Sequence, residues 1–283
     1  MIILHRIDDV RNTLQTYRKQ NKSIGLVPTM GALHEGHLSL IRRCREENDI
    51  AVVSVFVNPT QFNNKQDLAT YPRNLEKDAK LLDWADVDVV FAPEPEDVYT
   101  SEDLSKTFSF DFQGLDKVME GKQRPGHFNG VVQIVSKLFS IVEPCRAYFG
   151  LKDFQQVAII RLMVREMHFP VEIIPCPIVR EESGLARSSR NQLLSREQKI
   201  QAANIYRILR ESLARIDSST PEELTEWTVG EINAQAGLDV EYYEIVNGDT
   251  LQKITSWDDA TYVVGCVTVH CGSVRLIDNI RLK

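Results

Sequence analysis

The chain has 283 residues, of which 43% are hydrophobic, 26% charged and 8% aromatic; this leaves room for about two domains and excludes wholesale disorder, a collagen-like repeat and a coiled coil. Its 33 Lys and Arg stand against 40 Asp and Glu, a net charge of −7, so no general attraction to nucleic acid or to a membrane surface is available and any anion must be held locally. No apolar stretch approaches the ~18 residues of a membrane span, Arg6 and Asp8 interrupt the start where a signal peptide needs its apolar region, and five scattered cysteines do not make a disulfide framework. A reduced, cytoplasmic protein is expected.

In chain order, SIGLVP at 23 to 28 reads as a strand that turns through TMGALHEGH into a helix, where Leu38, Ile41 and Cys44 recur at helical spacing. IAVVSVFV at 50 to 57 is the β-branched run of a buried parallel strand and should pair beside the first. A helix over 73 to 85, a strand over 87 to 93, a helix over 127 to 142 and a strand over 146 to 150 follow. Asp153 suits the N-cap of a helix over 153 to 167, and VEIIPCPIV supplies a fifth strand over 171 to 179. This alternation predicts an α/β fold, a Rossmann-like doubly wound parallel sheet that binds ligands beyond the carboxyl ends of its strands, after Val27, Val57, Phe149 and Val179.

Helical patterns at 196 to 216 and 221 to 236, then strands near 240 to 246, 261 to 269 and 273 to 280, predict a smaller C-terminal α+β domain. The division expected is 1–180 for the Rossmann-like domain and 181–283 for the smaller one, with the seam in REESGLARSSRNQLLS. Cys266, His270 and Cys271 lie in an alternating apolar run, so they read as strand residues with core thiols rather than as a zinc site, whose paired ligand spacing is missing.

Four segments carry chemistry. His34, Gly36 and His37 of HEGH sit where a strand turns into a helix, and a helix N-terminus suits phosphate; as a bare motif the same residues would also serve as a helix cap. Asn58, Gln61 and Asn63 of VFVNPTQFN present neutral amides that can hold hydroxyls and a carboxylate without quenching it in an ion pair, although such a segment alone is also an ordinary polar loop. Lys152 of YFGLKDFQQ can reach phosphate oxygens, with Asp153 capping the helix or contacting a ribose; an exposed Lys beside a structural cap reads equally well. Arg187, Ser188, Ser189 and Arg190 of ARSSRN are suitable triphosphate ligands on a loop that can close, or else a solvated linker, and Arg124 and His127 of GKQRPGHF share that ambiguity.

Taken together and in this order, PTMGALHEGH, VFVNPTQF, YPRNLEKD, EGKQRPGHFNGVV, YFGLKDFQQ and REESGLARSSRN closely resemble the pantothenate synthetase (pantoate–β-alanine ligase) family of the HxGH nucleotidyltransferase-like superfamily. The match covers about the first two thirds of the chain. The resemblance implies a two-step ligase: the carboxylate of (R)-pantoate attacks the α-phosphorus of ATP, and β-alanine then attacks the enzyme-bound pantoyl adenylate to give pantothenate and AMP. It places Met30, Gly31, Ala32, Leu33, His34, Glu35, Gly36 and His37 at ATP, with His37 as the catalytic residue. Gly150, Leu151, Lys152 and Asp153 would face ribose and phosphates, Val179 the adenine, and Arg187, Ser188, Ser189 and Arg190 the triphosphate. Gln61 and Gln156 would hold pantoate and the β-alanine step. Mg²⁺ would travel with ATP, its protein ligands undefined, and the assembly would be a homodimer with small-molecule partners, no nucleic acid and no membrane.

Leu151 and Arg187 stand where the family commonly has Glu and Met. HxGH alone also fits a nucleotidyltransferase that stops at a nucleotide-linked product, or a nucleotide sensor without turnover.

Overall fold

The structure is a computed structural model that describes residues 1–105 and 108–283, with the side chains of 65–67 and 104–105 outside the description. The described residues separate into two compact units: 1–116, 124–151 and 156–176 form the first, and 117–123, 152–155 and 177–283 the second.

The first unit is built on strands β1 (Ile2–Leu4), β2 (Ile24–Thr29), β3 (Ile50–Val55), β4 (Val89–Phe91), β5 (Arg146–Gly150) and β6 (Glu172–Cys176). They form one parallel sheet in the order β1-β4-β3-β2-β5-β6. The expected pairing of 50 to 57 beside the first predicted strand holds, with Ile24 opposite Ile50 and Thr29 opposite Val55. The chain winds outward from β2 to β4 and then returns to β5 on the other side of β2. The carboxyl ends of β2 and β5 therefore flank the topological switch point, where open α/β sheets bind ligands.

Successive side chains of a strand point to opposite faces, so each buried strand feeds two cores. Ile24, Leu26, Ile50, Val52, Val89, Phe91, Ala147 and Phe149 pack on one face, against the helices Ile7–Lys19, His127–Val142 and Phe154–Glu166. Val27, Ala51, Val53, Val90 and Tyr148 pack on the other, against Glu35–Glu47 and Leu75–Trp84. Leu26 is fully buried, and truncating it to Ala would cost roughly 2–5 kcal/mol.

Two departures from the sequence reading have local causes. The fifth predicted strand ends at Cys176 rather than at residue 179, because Pro177 has no N–H to offer the ladder; Pro175 is tolerated inside β6, at the sheet's edge. Asp153 closes a 3₁₀ turn, Leu151–Asp153, and the α-helix begins at Phe154. Strand β1 and the Ile7–Lys19 helix that follows it go beyond the elements expected from the sequence.

The second unit carries an antiparallel sheet of β7 (Leu238–Asn247), β8 (Val263–Cys271) and β9 (Val274–Arg281), in that order. Helices Arg196–Ser212 and Pro221–Asn233 supply Ile205, Ile208, Leu209, Leu224 and Ile232 to its core. Both start on reciprocal caps, Ser195 with Gln198 and Thr220 with Glu223, the second helped by Pro221 at its first position. Cys271 is a core residue and Cys266 is buried, while His270 lies 3.9 Å from Glu241. Together the two units form the α/β, Rossmann-like sheet and smaller C-terminal α+β arrangement read from the alternation of elements.

Candidate active site

The chain leaves β2 through Gly31 (φ +78°) and Ala32 (φ +50°), both left-handed. Glycine is required at position 31 because a Cβ there would stand 2.9 Å from Asp78 Oδ2 and 3.1 Å from Val55 Cγ1, in addition to the backbone strain. The turn is braced on two sides. Gly31 N–H donates to Thr29 Oγ1 (3.2 Å), while Ala32 N–H and Leu33 N–H donate to Asp78 Oδ2 and Oδ1 (2.9 and 2.8 Å). Ala32 and Leu33 thus direct both their side chains and their amides inward.

His34 is the N-cap of the Glu35–Glu47 helix, and its Nδ1 accepts from Gly36 N–H at 3.1 Å. His37, one turn on, accepts at Nδ1 from His34 N–H at 3.3 Å, an imidazole version of the reciprocal capping box. A backbone amide can only donate, so both Nδ1 atoms are bare and each neutral ring carries its proton on Nε2. The two rings stack at 4.1 Å with planes inclined by 33°. The cap therefore fixes two Nε2–H donors at the positive end of a helix, the arrangement needed to receive an anion. Glu35 is exposed and pairs with Arg42 at 2.6 Å, which offsets its charge at the mouth of the site.

Beyond β3, Asn58 is almost fully buried. Its Oδ1 accepts from Tyr99 Oη (2.7 Å), Thr60 Oγ1 (3.1 Å) and Thr60 N–H (3.4 Å), which leaves Nδ2 to donate to Gly130 O (3.0 Å) and Gln61 Oε1 (3.1 Å). That sequence of donors fixes the orientation of the Gln61 amide: its oxygen faces Asn58 and its NH₂ faces away, 3.1 Å from Met30 Sδ. Gln61 consequently presents donors, the polarity that suits a carboxylate or a hydroxyl oxygen. Met30 brings the loop after β2 into contact with the loop after β3.

The His127–Val142 helix clamps the same loop from below. Arg124 Nη1 lies 3.3 Å from His127 Nε2 and can only donate, so His127 carries its proton on Nδ1 and gives it to Gln61 O at 2.8 Å. Gly130 permits the approach, since a Cβ there would be 2.4 Å from Thr60 O. Asn58 was expected to offer its own amide to a ligand, and Arg124 and His127 to be either phosphate ligands or linker residues; Asn58 instead spends its amide on Gly130 O and Gln61, and His127, with Arg124 beside it, holds Gln61 O.

Gly150 ends β5 in the first unit and Leu151 follows it, with Gln156 half-buried on the next helix. The intervening Lys152 and Asp153 pack with the second unit, their side chains 3.6 Å apart, and Lys152 O accepts from Asn279 Nδ2 at 3.1 Å. Gln155 is buried and committed, accepting from Glu120 N–H and donating to Val118 O, each at 2.9 Å.

Within the second unit, Arg187 N–H donates to Val179 O at 2.9 Å and Arg180 pairs with Ala186 as an antiparallel bridge, so Val179 and Arg187 to Arg190 are neighbours across one turn. The base of the turn is held by a bidentate Arg180–Asp278 pair (2.6 and 2.9 Å), with the guanidinium 3.4 Å over the Tyr206 ring. Ser188 caps the 3₁₀ turn Ser189–Leu193 and accepts from Arg190 N–H, Ser189 is buried, and Arg187 lies 3.7 Å from Glu181.

Asp78 and Tyr99, which brace the candidate loops, are residues that sequence reasoning missed. Each meets its partner across more than 40 positions, and the only signal for Asp78 was its place in YPRNLEKD.

Residues 2–281 match the family model described as Pantoate-beta-alanine ligase. Pantothenate synthetase of Bacteroides thetaiotaomicron is 55% identical over 100% of this chain and 99% of its own length, and that of Porphyromonas gingivalis is 54% identical over the whole of both. Among solved structures, pantothenate synthetase of Thermus thermophilus is 40% identical with a TM-score of 0.92, over 100% of this chain and 99% of that one. The Francisella tularensis pantoate-beta-alanine ligase, complexed with beta-gamma ATP and beta-alanine, is 39% identical with a TM-score of 0.82, over 100% and 98%. The chain is a member of the pantoate-beta-alanine ligase family.

Proposed function

We propose that this chain condenses (R)-pantoate with β-alanine at the expense of ATP, through an enzyme-bound pantoyl adenylate. The observation that carries the reading is the juxtaposition, through Met30 and Gln61, of a loop ending in two Nε2–H imidazoles with a loop presenting an oriented neutral amide. The first suits the phosphates of a nucleotide and the second the carboxylate that must attack it. Full-length identity to pantothenate synthetases supports the same reaction.

In the first step a pantoate carboxylate oxygen bonds to the α-phosphorus while the bond from that phosphorus to the bridging oxygen breaks, and pyrophosphate leaves with the electron pair. Gln61, with Gln156, orients the carboxylate by hydrogen bonds and leaves its charge available for attack. His34 and His37 donate from Nε2 to the oxygens on which charge accumulates, His37 as the principal group; one such donor is typically worth about 10²–10³ in rate. Lys152, Ser188, Ser189 and Arg190 take the triphosphate, Val179 the adenine, and Gly150 and Asp153 the ribose side. In the second step the amine of β-alanine bonds to the acyl carbon, the bond to AMP breaks, and the amine gives up a proton. Neither step requires a protein nucleophile.

Among the described residues no three His, Cys, Asp or Glu side chains are grouped to hold a metal ion. Mg²⁺ arriving with ATP would be held by phosphate oxygens and water, where it would offset phosphate charge. Residues 181–283 acting as a lid and assembly as a homodimer rest on the family resemblance, and a cytoplasmic location rests on the composition and cysteine usage; no helix among the described residues is long and apolar enough to cross a membrane.

The test is AMP release with each substrate omitted in turn. AMP that needs ATP, pantoate and β-alanine together, with pantoate-dependent exchange of labelled pyrophosphate into ATP, is the expected result. Pyrophosphate without AMP would instead indicate a nucleotidyltransferase, and ATP binding without exchange a sensor.

A further inference from the structure

Asp78 has no place in the chemistry above, yet it is one of the most deeply buried charged residues of the chain, at 2% exposure. Nothing in its own helix calls for it. The first turn of Leu75–Trp84 is already capped by Asn74, whose Oδ1 accepts from Lys77 N–H at 2.9 Å. Asp78 instead reaches back to positions 32 and 33 and spends one oxygen on each of two consecutive backbone amides.

Consecutive amides around left-handed residues form an anion-binding cradle, the kind of feature that elsewhere takes phosphate. Here the cradle holds a carboxylate of the chain itself. A buried negative charge beneath a loop meant for a polyanion would be counterproductive if left unpaired; bound by two amides it becomes a fixing pin.

We propose that Asp78 is the positioning residue of the nucleotide loop: by occupying the amides of Ala32 and Leu33 it fixes the turn before His34, and with it the direction in which His34 and His37 present Nε2–H. This deepens the ligase reading and rests on it for the identity of the nucleotide. Both oxygens are engaged by N–H groups, so Asp78 serves the site through the loop and not as a ligand of substrate or of a cation. Gly31 belongs to the same device, since any side chain there would press on Asp78 Oδ2.

Asp78→Asn keeps the size but turns an NH₂ group toward one of the two amides, which must then swing outward. ATP binding, read by calorimetry without pantoate, should weaken at least tenfold and kcat should fall at least tenfold. The KM for pantoate should stay within twofold, because Gln61 is held by Asn58 and His127 instead. Amide hydrogen exchange at Ala32 and Leu33 should be slow in the wild type and fast in the variant.

ATP affinity within twofold of wild type, or ATP and pantoate parameters deteriorating together alongside a lowered Tm, would overturn the proposal. Should Asp78→Asn fail to fold, Asp78→Ser is read in the same way, and failure of both to fold would make the residue purely structural and likewise overturn it. A wild-type enzyme that binds ATP but makes no pantothenate would remove the ligase reading while the calorimetry still decides on Asp78; one that binds no ATP would remove both.

Discussion

Tyr99→Phe isolates the chain of hydrogen bonds that aims Gln61. The change removes only the hydroxyl that donates to Asn58 Oδ1 at 2.7 Å. The ring remains to pack 6.2 Å from Phe56 and beneath the Lys137 ammonium at 5.5 Å, so no cavity opens. Burial pushes the Tyr99 hydroxyl up to about 12, which keeps it a protonated donor at any working pH, and its loss therefore acts through geometry rather than charge.

A buried neutral hydrogen bond contributes roughly 0.5–1.5 kcal/mol, and Asn58 Oδ1 keeps two weaker donors from Thr60, at 3.1 and 3.4 Å. A cost of about 1 kcal/mol follows, equivalent to roughly a fivefold fall in kcat/KM for pantoate. Initial rates of AMP release should be measured with pantoate varied at saturating ATP and β-alanine, then with ATP varied. The reasoning fails if kcat/KM for pantoate stays within about 1.5-fold of wild type (about 0.2 kcal/mol), or if the ATP parameters fall by the same factor.

Other expectations bear on each unit. Gln61→Ala should abolish most pantoate-dependent pyrophosphate release, by about 10–100-fold for a donor to a charged group, while ATP binding by calorimetry is spared. His37→Ala and Lys152→Ala should each lower turnover about 100-fold or more with an unchanged far-ultraviolet spectrum, and near-normal pantothenate formation by both would refute their assigned roles. In the second unit, Arg275 donates to both carboxylate oxygens of Glu120 at 2.7 Å, and Tyr242 and Thr268 donate to one of them at 2.8 and 3.0 Å. Arg275→Met removes the bidentate guanidinium from that carboxylate and should cost about 3 kcal/mol in urea unfolding. Asp103 is held below its ordinary value of 3.8, first by the Thr100 N–H and next by the Lys137 ammonium. Its contribution to stability is present above that ordinary value and fades as pH falls through the depressed folded one, so Asp103→Asn should flatten the acid limb of a Tm–pH profile.

Much of this molecule was readable from local pattern. The β-branched run at 50 to 57 and the apolar segment at 23 to 28 became adjacent parallel strands, and the strands expected near 240 to 246, 261 to 269 and 273 to 280 became the antiparallel sheet within a few residues of those limits. Such features are legible because side-chain direction repeats with a fixed period along each element, so burial writes itself into the sequence at short range. Strand β1 was not: it has three residues, two of them exposed, and exists because the edge of β4 accepts it.

The site divided in the same way. HEGH declared itself through two histidines and a glycine at the head of a helix, whereas the tautomers of His34, His37 and His127 follow only from which backbone or guanidinium group faces each nitrogen. Asp78 and Tyr99 carry no local signature of their partners, which lie 46 and 41 positions away. A hydrogen bond between distant segments depends on the packing of the elements that carry them. The sequence by itself therefore determined which groups are candidates for the chemistry, and only the tertiary structure decided which way their donors point.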